Sequence, residues 1–436
     1  MTSQPAPVWT RCAARARPSP RTRPVQQTAG QRLFVVVGGG RWARVYLSVM
    51  ATFDFPYRVA VVSAANATAL AGLQAGTGGT VRVLPSLDAL PRDGSLAAGL
   101  VVNAAGNHAD TTARLIALGA SVLVEKPIAL HPASLADVFA KATGSGLLVM
   151  PALTFLHCAY LENFARVLHD QQAGRPVDID LVWHDPVSEQ RYGEEKSYDP
   201  ATSIAQDVMP HVWSVLAMTM RRPELPLDDV ACEIDRGGRS ACFTLSAGGL
   251  PCRIDLQRDA PARRRTLVLN LSSGTSLALD FTQEPGTITH GIRQASADPG
   301  WAHALRPVRR QLQAFLDQMK QPTAPALWQR VAECCTQWVD SSDAALKRAQ
   351  LAMLQACPLS RLDADVAYAF GEVAGEALRR QAPVIAAGNR AAWFEHRDRL
   401  LHRLQAAQAV PDWYSAVRSL GLYPQGHVTP PTKLAP

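Results

Sequence analysis

Several features that would assign the chain to other protein classes are missing from its sequence. No apolar run reaches about 18 residues without a charged side chain, so no membrane-spanning helix is expected. The eight cysteines form no C-x-x-C pair and no disulfide-framework spacing, which favours a reducing compartment. The histidines lack metal-ligand spacing, and no G-x-S-x-G nucleophile elbow is present. We therefore expect a cytoplasmic protein with no membrane partner, no metal site and no serine-hydrolase triad.

Residues 1–30 contain no acidic side chain, although they contain several prolines and arginines at positions 11, 15, 17, 21 and 23. These arginines account for most of the formal net charge of +7, so the remaining chain is close to neutral. A nucleic-acid partner is therefore not expected. The segment predicts a disordered leader. An Arg-rich targeting peptide is the alternative, but the prolines oppose the amphipathic helix that such peptides form.

A glycine-rich turn follows a short apolar run near the start of the chain. Leu33–Val37 predicts a buried parallel strand and Arg41–Met50 predicts a helix. Between them the spacing is G-x-G-x-x-A, with Gly38, Gly40 and Ala43 in the motif positions. In dinucleotide-binding folds the first glycine makes the turn, the second admits the pyrophosphate to backbone N–H groups, and the third small residue allows close helix–strand packing. The stretch therefore predicts a dinucleotide site.

Alternating strands and helices continue from this turn to about residue 154. Further strands are predicted at Tyr57–Ser63, Val81–Leu84, Gly99–Ala105, Ser121–Val124 and Leu147–Thr154. Helical segments are predicted at Asn66–Ala75, Leu87–Leu90, Asp110–Leu118 and Ala133–Ala142. This alternation is typical of an α/β fold with a parallel sheet, whose ligands bind at the carboxyl ends of the strands. Candidate cofactor-binding residues at those ends are Ser63, Ala105, Asn107, His108 and Glu125.

A different pattern begins after about residue 177. Strands are predicted at Val177–His184, Val230–Arg236, Ser240–Ser246, Cys252–Gln257, Arg265–Leu271 and Ser276–Phe281. With one helical block near 203–220, they predict an α+β domain with an open antiparallel sheet. Pro307–Met319 is predicted to be helical, as is nearly all of Leu327–Leu420, and the tail Tyr423–Pro436 is expected to be unstructured.

No carboxylate follows the second predicted strand, which ends at Ser63. NAD-specific sites usually place Asp or Glu about 20 residues beyond the glycines, where it binds the ribose 2′-OH. Here no acid repels a 2′-phosphate; Ser63 can donate to it, and Arg41 or Arg44 can approach it. We therefore predict NADP(H) as the preferred cofactor, with NAD(H) also possible.

Four short motifs follow one another between about residues 31 and 330. They are Val37–Ala43 with its Arg41-Trp42 pair, Val102–His108, Glu125-Lys126-Pro127 and Asp207–His211. In that order they resemble the nucleotide turn, the A-T-P-N-H segment, the E-K-P signature and the D-x-x-x-H motif of the Gfo/Idh/MocA oxidoreductases, the glucose–fructose oxidoreductase and inositol dehydrogenase family. Two departures are Ala105-Gly106 in place of Thr-Pro and Asp110 in place of a second histidine.

The resemblance implies a nicotinamide-dependent enzyme with a Rossmann domain over 31–150 and a substrate and oligomerisation domain over 151–326. The leader 1–30 precedes them and a helical extension over 327–436 follows. The family's catalytic roles carry over to Lys126 and His211, with Asp207 in support. Its cofactor contacts carry over to the glycine turn with Arg41 and Trp42, and to Glu125 and Lys126. Because family members commonly dimerise or tetramerise through the sheet, a homodimer or higher homo-oligomer is expected.

The residue types agree with these roles, although each has an alternative. A lysine can exchange a proton near neutral pH when it is buried beside an oxidised nicotinamide, but one at a strand end can also simply reach solvent. Asp207 and His211 share one face of a helix if the helix begins at about Ile204, as the capping-box sequence of Ser203–Gln206 predicts. Pro210 allows a second possibility, in which the helix begins there.

The sequence thus predicts an NAD(P)-dependent oxidoreductase that transfers hydride between nicotinamide and a carbon of a small polar substrate, such as a sugar or cyclitol. One alternative is an imine (C=N) reductase in a biosynthetic pathway. Another is a nucleotide-binding accessory or sensor protein without turnover. The predicted polar loop Ser188–Ala201 carries Arg191, Lys196 and Tyr198, which either contact an anionic substrate group or are solvated.

Deleting residues 1–30 is expected to leave the melting temperature and the cofactor affinity unchanged, because the segment has no periodic apolar positions to bury. Thermal denaturation and cofactor titration of the shortened and full chains test this. A drop of several degrees in the shortened chain would contradict it.

Overall fold

The computed structural model describes residues 32–63, 67–70, 73–75, 79–170, 174–191, 193–321, 323–375, 378, 390–407 and 410–419. Strands of the N-terminal part are β1 (Leu33–Val37), β2 (Arg58–Val62), β3 (Gln74–Ala75), β4 (Gly79–Thr80), β5 (Arg82–Leu84), β6 (Leu96–Val101), β7 (Ser121–Glu125) and β8 (Val149–Ala152). Six of them form a parallel sheet in the order β5-β2-β1-β6-β7-β8. This is the predicted doubly wound sheet.

Helices α1 (Arg41–Met50), α2 (Ala67–Leu70), α3 (His108–Ala117) and α4 (Pro132–Ser145) connect these strands. Strand β1 is buried along its whole length because both faces of the sheet are covered. Phe34 and Val36 belong to one hydrophobic cluster, whereas Leu33, Val35 and Val37 belong to another. The continuous apolar run in the sequence therefore reflects a central strand with packing on both sides.

The second sheet contains β9 (Pro176–His184), β12 (Leu227–Asp235), β13 (Ser240–Ala247), β14 (Leu250–Gln257), β15 (Arg264–Leu271), β16 (Ser276–Asp280), β17 (Thr287–His290) and β18 (Arg293–Ser296). Its order is β12-β13-β14-β9-β15-β16-β17-β18. The predicted open antiparallel sheet is confirmed, with one exception: β9 and β14 pair in parallel. The alternation of apolar and polar residues shows which side chains share a face of a strand. It does not show whether that strand runs parallel or antiparallel to a neighbour that is distant in the sequence.

The remaining helices are α5 (Ala159–Asp170), α6 (Ile204–Thr219), α7 (Arg306–Gln318), α8 (Ala324–Ala356), α9 (Ala364–Val373), α10 (Arg390–Ala407) and α11 (Trp413–Ser419). Helix α6 is buried almost throughout, and α8 packs against both α6 and β12. The helical C-terminal region therefore lies against the sheet domain. The predicted boundaries of the leader (1–30), the Rossmann domain (31–150), the second domain (151–326) and the helical extension (327–436) stay predictions.

Helix α8 carries apolar positions at mostly helical spacing, which either form a dimer interface or cover the chain's own sheet domain. Val331, Trp338 and Val339 are buried, and the Trp338 indole N–H donates to the Leu225 carbonyl at 2.8 Å. This face therefore covers the chain's own sheet domain, which was the alternative explanation of the pattern. The homo-oligomer stays a prediction and would have to use another surface.

Two local predictions in the N-terminal part need correction. The helix predicted over Asn66–Ala75 is limited to Ala67–Leu70 among the described residues, and Gln74–Ala75 pairs with Gly79–Thr80 as a hairpin. Glycines at 72, 76, 78 and 79 disfavour a longer helix. The strand predicted over Gly99–Ala105 runs from Leu96 to Val101.

The predicted polar loop Ser188–Ala201 contains a β-hairpin formed by β10 (Ser188–Arg191) and β11 (Glu194–Ser197). Its sequence is rich in charge and poor in apolar residues, so it shows no alternation by which a strand could be recognised. Within the described part of the chain, no helix combines the length and the apolar character needed to cross a bilayer. The predicted leader and the tail Tyr423–Pro436 lie outside the described residues.

Replacing Gly38 with alanine is expected to lower the free energy of unfolding by about 1–3 kcal/mol, because Gly38 adopts φ +129°. A Cβ there would also lie 2.7 Å from the backbone carbon and oxygen of Val102. Denaturant titration measures the effect. Gly94→Ala is a matched control, since Gly94 has φ +76° but open space around its Cβ position. Equal losses in both variants would contradict a role for the close approach to Val102.

Candidate functional site

The glycine turn leaves the N-terminus of α1 open. Gly40 is the residue before the helix, and no side chain caps the first backbone N–H groups. A Cβ placed on Gly40 would meet nothing within 4 Å, whereas Ala43 is fully buried against the sheet. Backbone N–H groups at a helix N-terminus next to open space are the arrangement that binds a pyrophosphate. The local structure therefore fits the predicted dinucleotide.

The other predicted cofactor residues lie at neighbouring strand ends of the same sheet. Ser63 follows β2 directly and is buried, Ala105 and Asn107 form a short turn after β6, and Glu125 ends β7. Arg41 begins α1 with its guanidinium carbon 4.8 Å from the centre of a Trp42 ring. Because β2, β1, β6 and β7 are adjacent in the sheet, these residues face a common edge.

His108 connects two of these loops instead of pointing into the open space. Its Nδ1 lies 2.7 Å from the Pro127 carbonyl oxygen and its Nε2 lies 3.0 Å from the Asn103 carbonyl oxygen. Burial lowers the pKa of His108, whereas the two carbonyl oxygens oppose this shift, and the neutral ring can donate its one N–H to only one of them. The imidazole therefore fixes the loop after β6 against the loop after β7.

Glu125 faces the interior next to Lys126. The Tyr46 hydroxyl donates to its Oε1 at 3.3 Å, and Gln311 Nε2 donates to the Tyr46 oxygen at 2.8 Å. Burial raises the pKa of Glu125 to about 7, although Lys126 acts in the opposite direction. The carboxyl group therefore changes its protonation near neutral pH within this buried chain of polar groups.

Lys126 joins the parallel sheet to the second domain. Its Nζ donates to the Asp207 carboxylate Oδ1 at 2.6 Å and to the Asp207 carbonyl oxygen at 2.7 Å. Burial disfavours the Asp207 anion, but Lys126 and Arg258 outweigh it and hold the pKa of Asp207 well below its usual range. Lys126 and Asp207 thus form a largely buried ion pair, with side chains 12% and 32% exposed.

The position of Asp207 depends on how α6 begins. Ser203 accepts the Gln206 backbone N–H at 3.1 Å, and the Gln206 side chain accepts the Ser203 backbone N–H at 3.2 Å. This capping box starts the helix at Ile204, so the first of the two predicted geometries is correct. The helix continues through Pro210, and His211 lies one turn beyond Asp207.

His211 is enclosed by aromatic rings. It stacks on Trp183 with 5.4 Å between ring centres and an angle of 10°, and Phe155 meets it edge-on at 5.3 Å. Burial, together with the charge of Lys126, lowers the pKa of His211 well below its usual value, so the imidazole is neutral. Its buried Nδ1 has no hydrogen-bond partner among the described residues. A neutral ring with an unpaired nitrogen can donate to or accept from a bound molecule.

The cations of the β10–β11 hairpin are already paired with carboxylates of the chain. Arg191 binds Glu284 at 2.7 Å, and Lys196 binds Asp185 at 2.7 Å. Because both cations already have a carboxylate partner, a contact with an anionic substrate group is less well supported. The alternative, a solvated loop, does not describe these paired side chains either. Sequence analysis missed Asp185 because no motif contains it.

Two buried arginines near the site were also missed. Arg265 contacts the Trp183 indole, with 3.9 Å from the guanidinium carbon to the ring centre, and its Nη2 binds Asp185 at 2.5 Å. Arg258 follows β14, and its Nη2 lies 3.6 Å from Asp207 Oδ2. In the sequence, an arginine near the end of a strand looks like a solvent-exposed residue. Only the burial seen in the structure distinguishes Arg258 and Arg265 from exposed arginines.

The site therefore brings Lys126, Asp207 and His211 together across the two sheets, with the glycine turn at the edge of the first sheet. Together, a lysine that is bound by a carboxylate and a nearby neutral imidazole can donate, accept or share a proton. Within the described part of the chain no three His, Cys, Asp or Glu side chains are grouped as metal ligands, and the absence of a metal stays a prediction.

Comparison with solved structures identifies the fold. A 3-ketoreductase, KijD10 from Actinomadura kijaniata, solved with NADP and TDP-benzene, is 18% identical with a TM-score of 0.58, covering 71% of this chain and 96% of its own. GenD2 from gentamicin A biosynthesis, solved with NAD, is 16% identical with a TM-score of 0.56, covering 75% of this chain and 97% of its own. A probable dehydrogenase from Thermotoga maritima is 15% identical with a TM-score of 0.56, covering 72% and 96%.

The sequence itself matches no curated protein. Residues 32–153 match the model of the Gfo/Idh/MocA family, described as an oxidoreductase family with an NAD-binding Rossmann fold. This match covers the glycine turn and the E-K-P signature, and it confirms the predicted resemblance and the predicted class of enzyme, an oxidoreductase. Residues 32–153 of this chain are thus similar to the NAD-binding Rossmann domain of the Gfo/Idh/MocA oxidoreductases.

Proposed function

We propose that the protein transfers hydride between NADP(H) and a carbon that is a ketone in one redox state and a secondary alcohol in the other. The observation that carries this proposal is the contact of Lys126 Nζ with the Asp207 carboxylate at 2.6 Å. Lys126, a charged proton donor, lies at the carboxyl end of β7, which only β6 separates from β1, the strand whose glycine turn fits the cofactor. A purely nucleotide-binding protein has no need of this pair.

The bound nicotinamide would supply or accept the hydride, and the chain's own residues would handle the proton. During reduction Lys126 donates a proton to the substrate oxygen, and Asp207 keeps the ammonium group oriented. His211, neutral and supported by Trp183, offers a ring nitrogen to a substrate hydroxyl. During oxidation Lys126 would first release a proton to solvent, and its neutral amine would then accept the proton of the substrate hydroxyl.

A sugar ketone or alcohol is the proposed substrate class. Two of the similar structures, described as a 3-ketoreductase solved with TDP-benzene and as a protein of gentamicin A biosynthesis, support this proposal by analogy of fold. Aromatic and charged groups around His211 also suit a polyhydroxylated ring, which combines apolar faces with hydroxyl edges. Nicotinamide absorbance followed with sugar ketones, cyclitols and cyclic imines tests the proposal, and turnover of imines alone would favour the C=N alternative.

Lys126→Met is expected to lower turnover about 10²–10⁴-fold, since methionine keeps the apolar stem but cannot transfer a proton. Cofactor affinity should stay nearly unchanged. Lys141→Met is the matched control, because Lys141 is exposed on α4. Turnover per folded molecule is the measurement, and unchanged turnover in Lys126→Met would remove this lysine from the mechanism.

His211→Asn is expected to lower turnover less than Lys126→Met does, because the histidine positions the substrate. If the two groups act as one relay, the double variant should lose little more than the worse single variant, since effects within a unit are not additive. Fully multiplicative losses would indicate independent roles.

NADPH is expected to bind more tightly than NADH, because no carboxylate follows Ser63 at the end of β2. Dissociation constants from fluorescence titration test this. Ser63→Asp introduces the missing acid and should reverse the preference. Tighter NADH binding by the unchanged protein would contradict the prediction.

A further inference from the structure

The C-terminal helices reach the base of the proposed catalytic pair through a buried polar network. Asp343 of α8 accepts the Ser203 hydroxyl at 2.5 Å, the Gln206 side-chain amide at 3.1 Å and Lys347 Nζ at 2.6 Å. Ser203 and Gln206 are the capping-box residues that set where α6 begins. A side chain from the extension therefore binds both side chains of the cap.

Glu372 of α9 makes a second connection. Its Oε1 accepts the Ile204 backbone N–H at 3.2 Å, the Tyr368 hydroxyl at 2.8 Å and Arg258 Nη1 at 3.2 Å. Its Oε2 accepts the Gln350 side-chain amide at 2.8 Å. Both carboxylate oxygens of Glu372 thus accept hydrogen bonds, and the residue is 7% exposed.

Arg258 links Glu372 to Asp207. Its Nη2 donates to the carbonyl oxygens of Thr202 at 2.7 Å and Ser203 at 3.0 Å, and lies 3.6 Å from Asp207 Oδ2. The guanidinium group is therefore fixed on one side by Glu372 and faces Asp207 on the other. Asp207 binds Lys126 through its remaining oxygen.

The charges in this chain alternate: Glu372, Arg258, Asp207, Lys126. Burial opposes the charge on Arg258, but Tyr368, Glu372 and Asp207 outweigh it and raise the pKa of Arg258 above its usual value. Removing Glu372 would leave the buried guanidinium without its nearest carboxylate and free to shift toward Asp207. Because Asp207 has a second partner in Lys126, such a shift would change the geometry of the catalytic pair.

The match includes 96–98% of the length of the similar solved structures, but only 70–75% of this chain. A quarter or more of this chain therefore lies outside the match. We propose that the C-terminal extension is part of the active-site architecture, with Glu372 acting through Arg258 as a positioning residue for Asp207 and Lys126. The inference rests on the proposed function of that pair.

Glu372→Gln tests the proposal because it removes the charge and keeps the size and one carbonyl acceptor. We expect kcat to fall about 10- to 100-fold, the loss that a small misplacement of catalytic groups produces, with KM and cofactor affinity within about twofold. Asp363→Ala is the matched control: Asp363 caps α9 by accepting the Asp365 and Val366 backbone N–H groups. It should lower the melting temperature and preserve kcat per folded molecule.

A second measurement does not depend on turnover. The rate at which acetic anhydride modifies Lys126, relative to the exposed Lys141 in the same molecule, reports how firmly Asp207 holds the amine and is read by mass spectrometry. In Glu372→Gln this ratio should rise several-fold, and in Asp363→Ala it should stay unchanged. If the unaltered protein turns over no substrate, the proposed function fails, yet the labelling ratio still decides the positioning role.

A folded Glu372→Gln variant with unchanged kcat and unchanged labelling would overturn the inference. If that variant does not fold, Tyr368→Phe replaces it, because it removes hydroxyl contacts of 2.8 Å to Glu372 and 3.3 Å to Arg258 while keeping the ring. A several-fold fall in kcat with constant KM supports the proposal, and unchanged kcat contradicts it.

Discussion

The ion pair between Lys126 and Asp207 is the contact on which the site depends, because its two partners come from different layers of the molecule. Lys126 follows the last residue of β7 in the parallel sheet, and Asp207 lies in the first turn of α6 beneath the second sheet. The packing of one layer on the other therefore determines whether the amine has a partner. Loss of either partner would leave a largely buried charge uncompensated, which is costly in free energy.

Burial gives neighbouring titratable groups different protonation states. Asp207 stays ionised because two cations outweigh its desolvation, whereas His211 is neutral because its ring is enclosed and lies beside Lys126. Burial raises the pKa of Glu125 to about 7, although Lys126 and the Tyr46 hydrogen bond act in the opposite direction. Groups with such separated pKa values within one small region are typical of sites that move protons. Their environments, more than their residue types, set these states.

Hydrogen bonds from the C-terminal helices also reach the start of α6. Helices α8 and α9 place carboxylates at the beginning of α6, where a helix has unsatisfied N–H groups. Burial disfavours the charge of Glu372 and raises its pKa, and the donors that reach each carboxylate oxygen offset part of this cost. The same contacts restrain Arg258, so the extension and the site share one polar network.

The sequence by itself determined the parallel sheet, the glycine turn, the start of α6 and the approximate ranges of most strands in the second sheet. These features depend on local patterns: apolar periodicity, glycine spacing and the capping box of Ser203 and Gln206. It also pointed to Lys126, Asp207 and His211, although only through their resemblance to family motifs. The tertiary structure decided the parallel pairing of β9 with β14, the hairpin within residues 188–201, and the contact between Arg258 and Glu372. Arg258 and Glu372 are 114 positions apart, so no local pattern relates them. Packing brings them into contact, and burial then makes their pairing necessary.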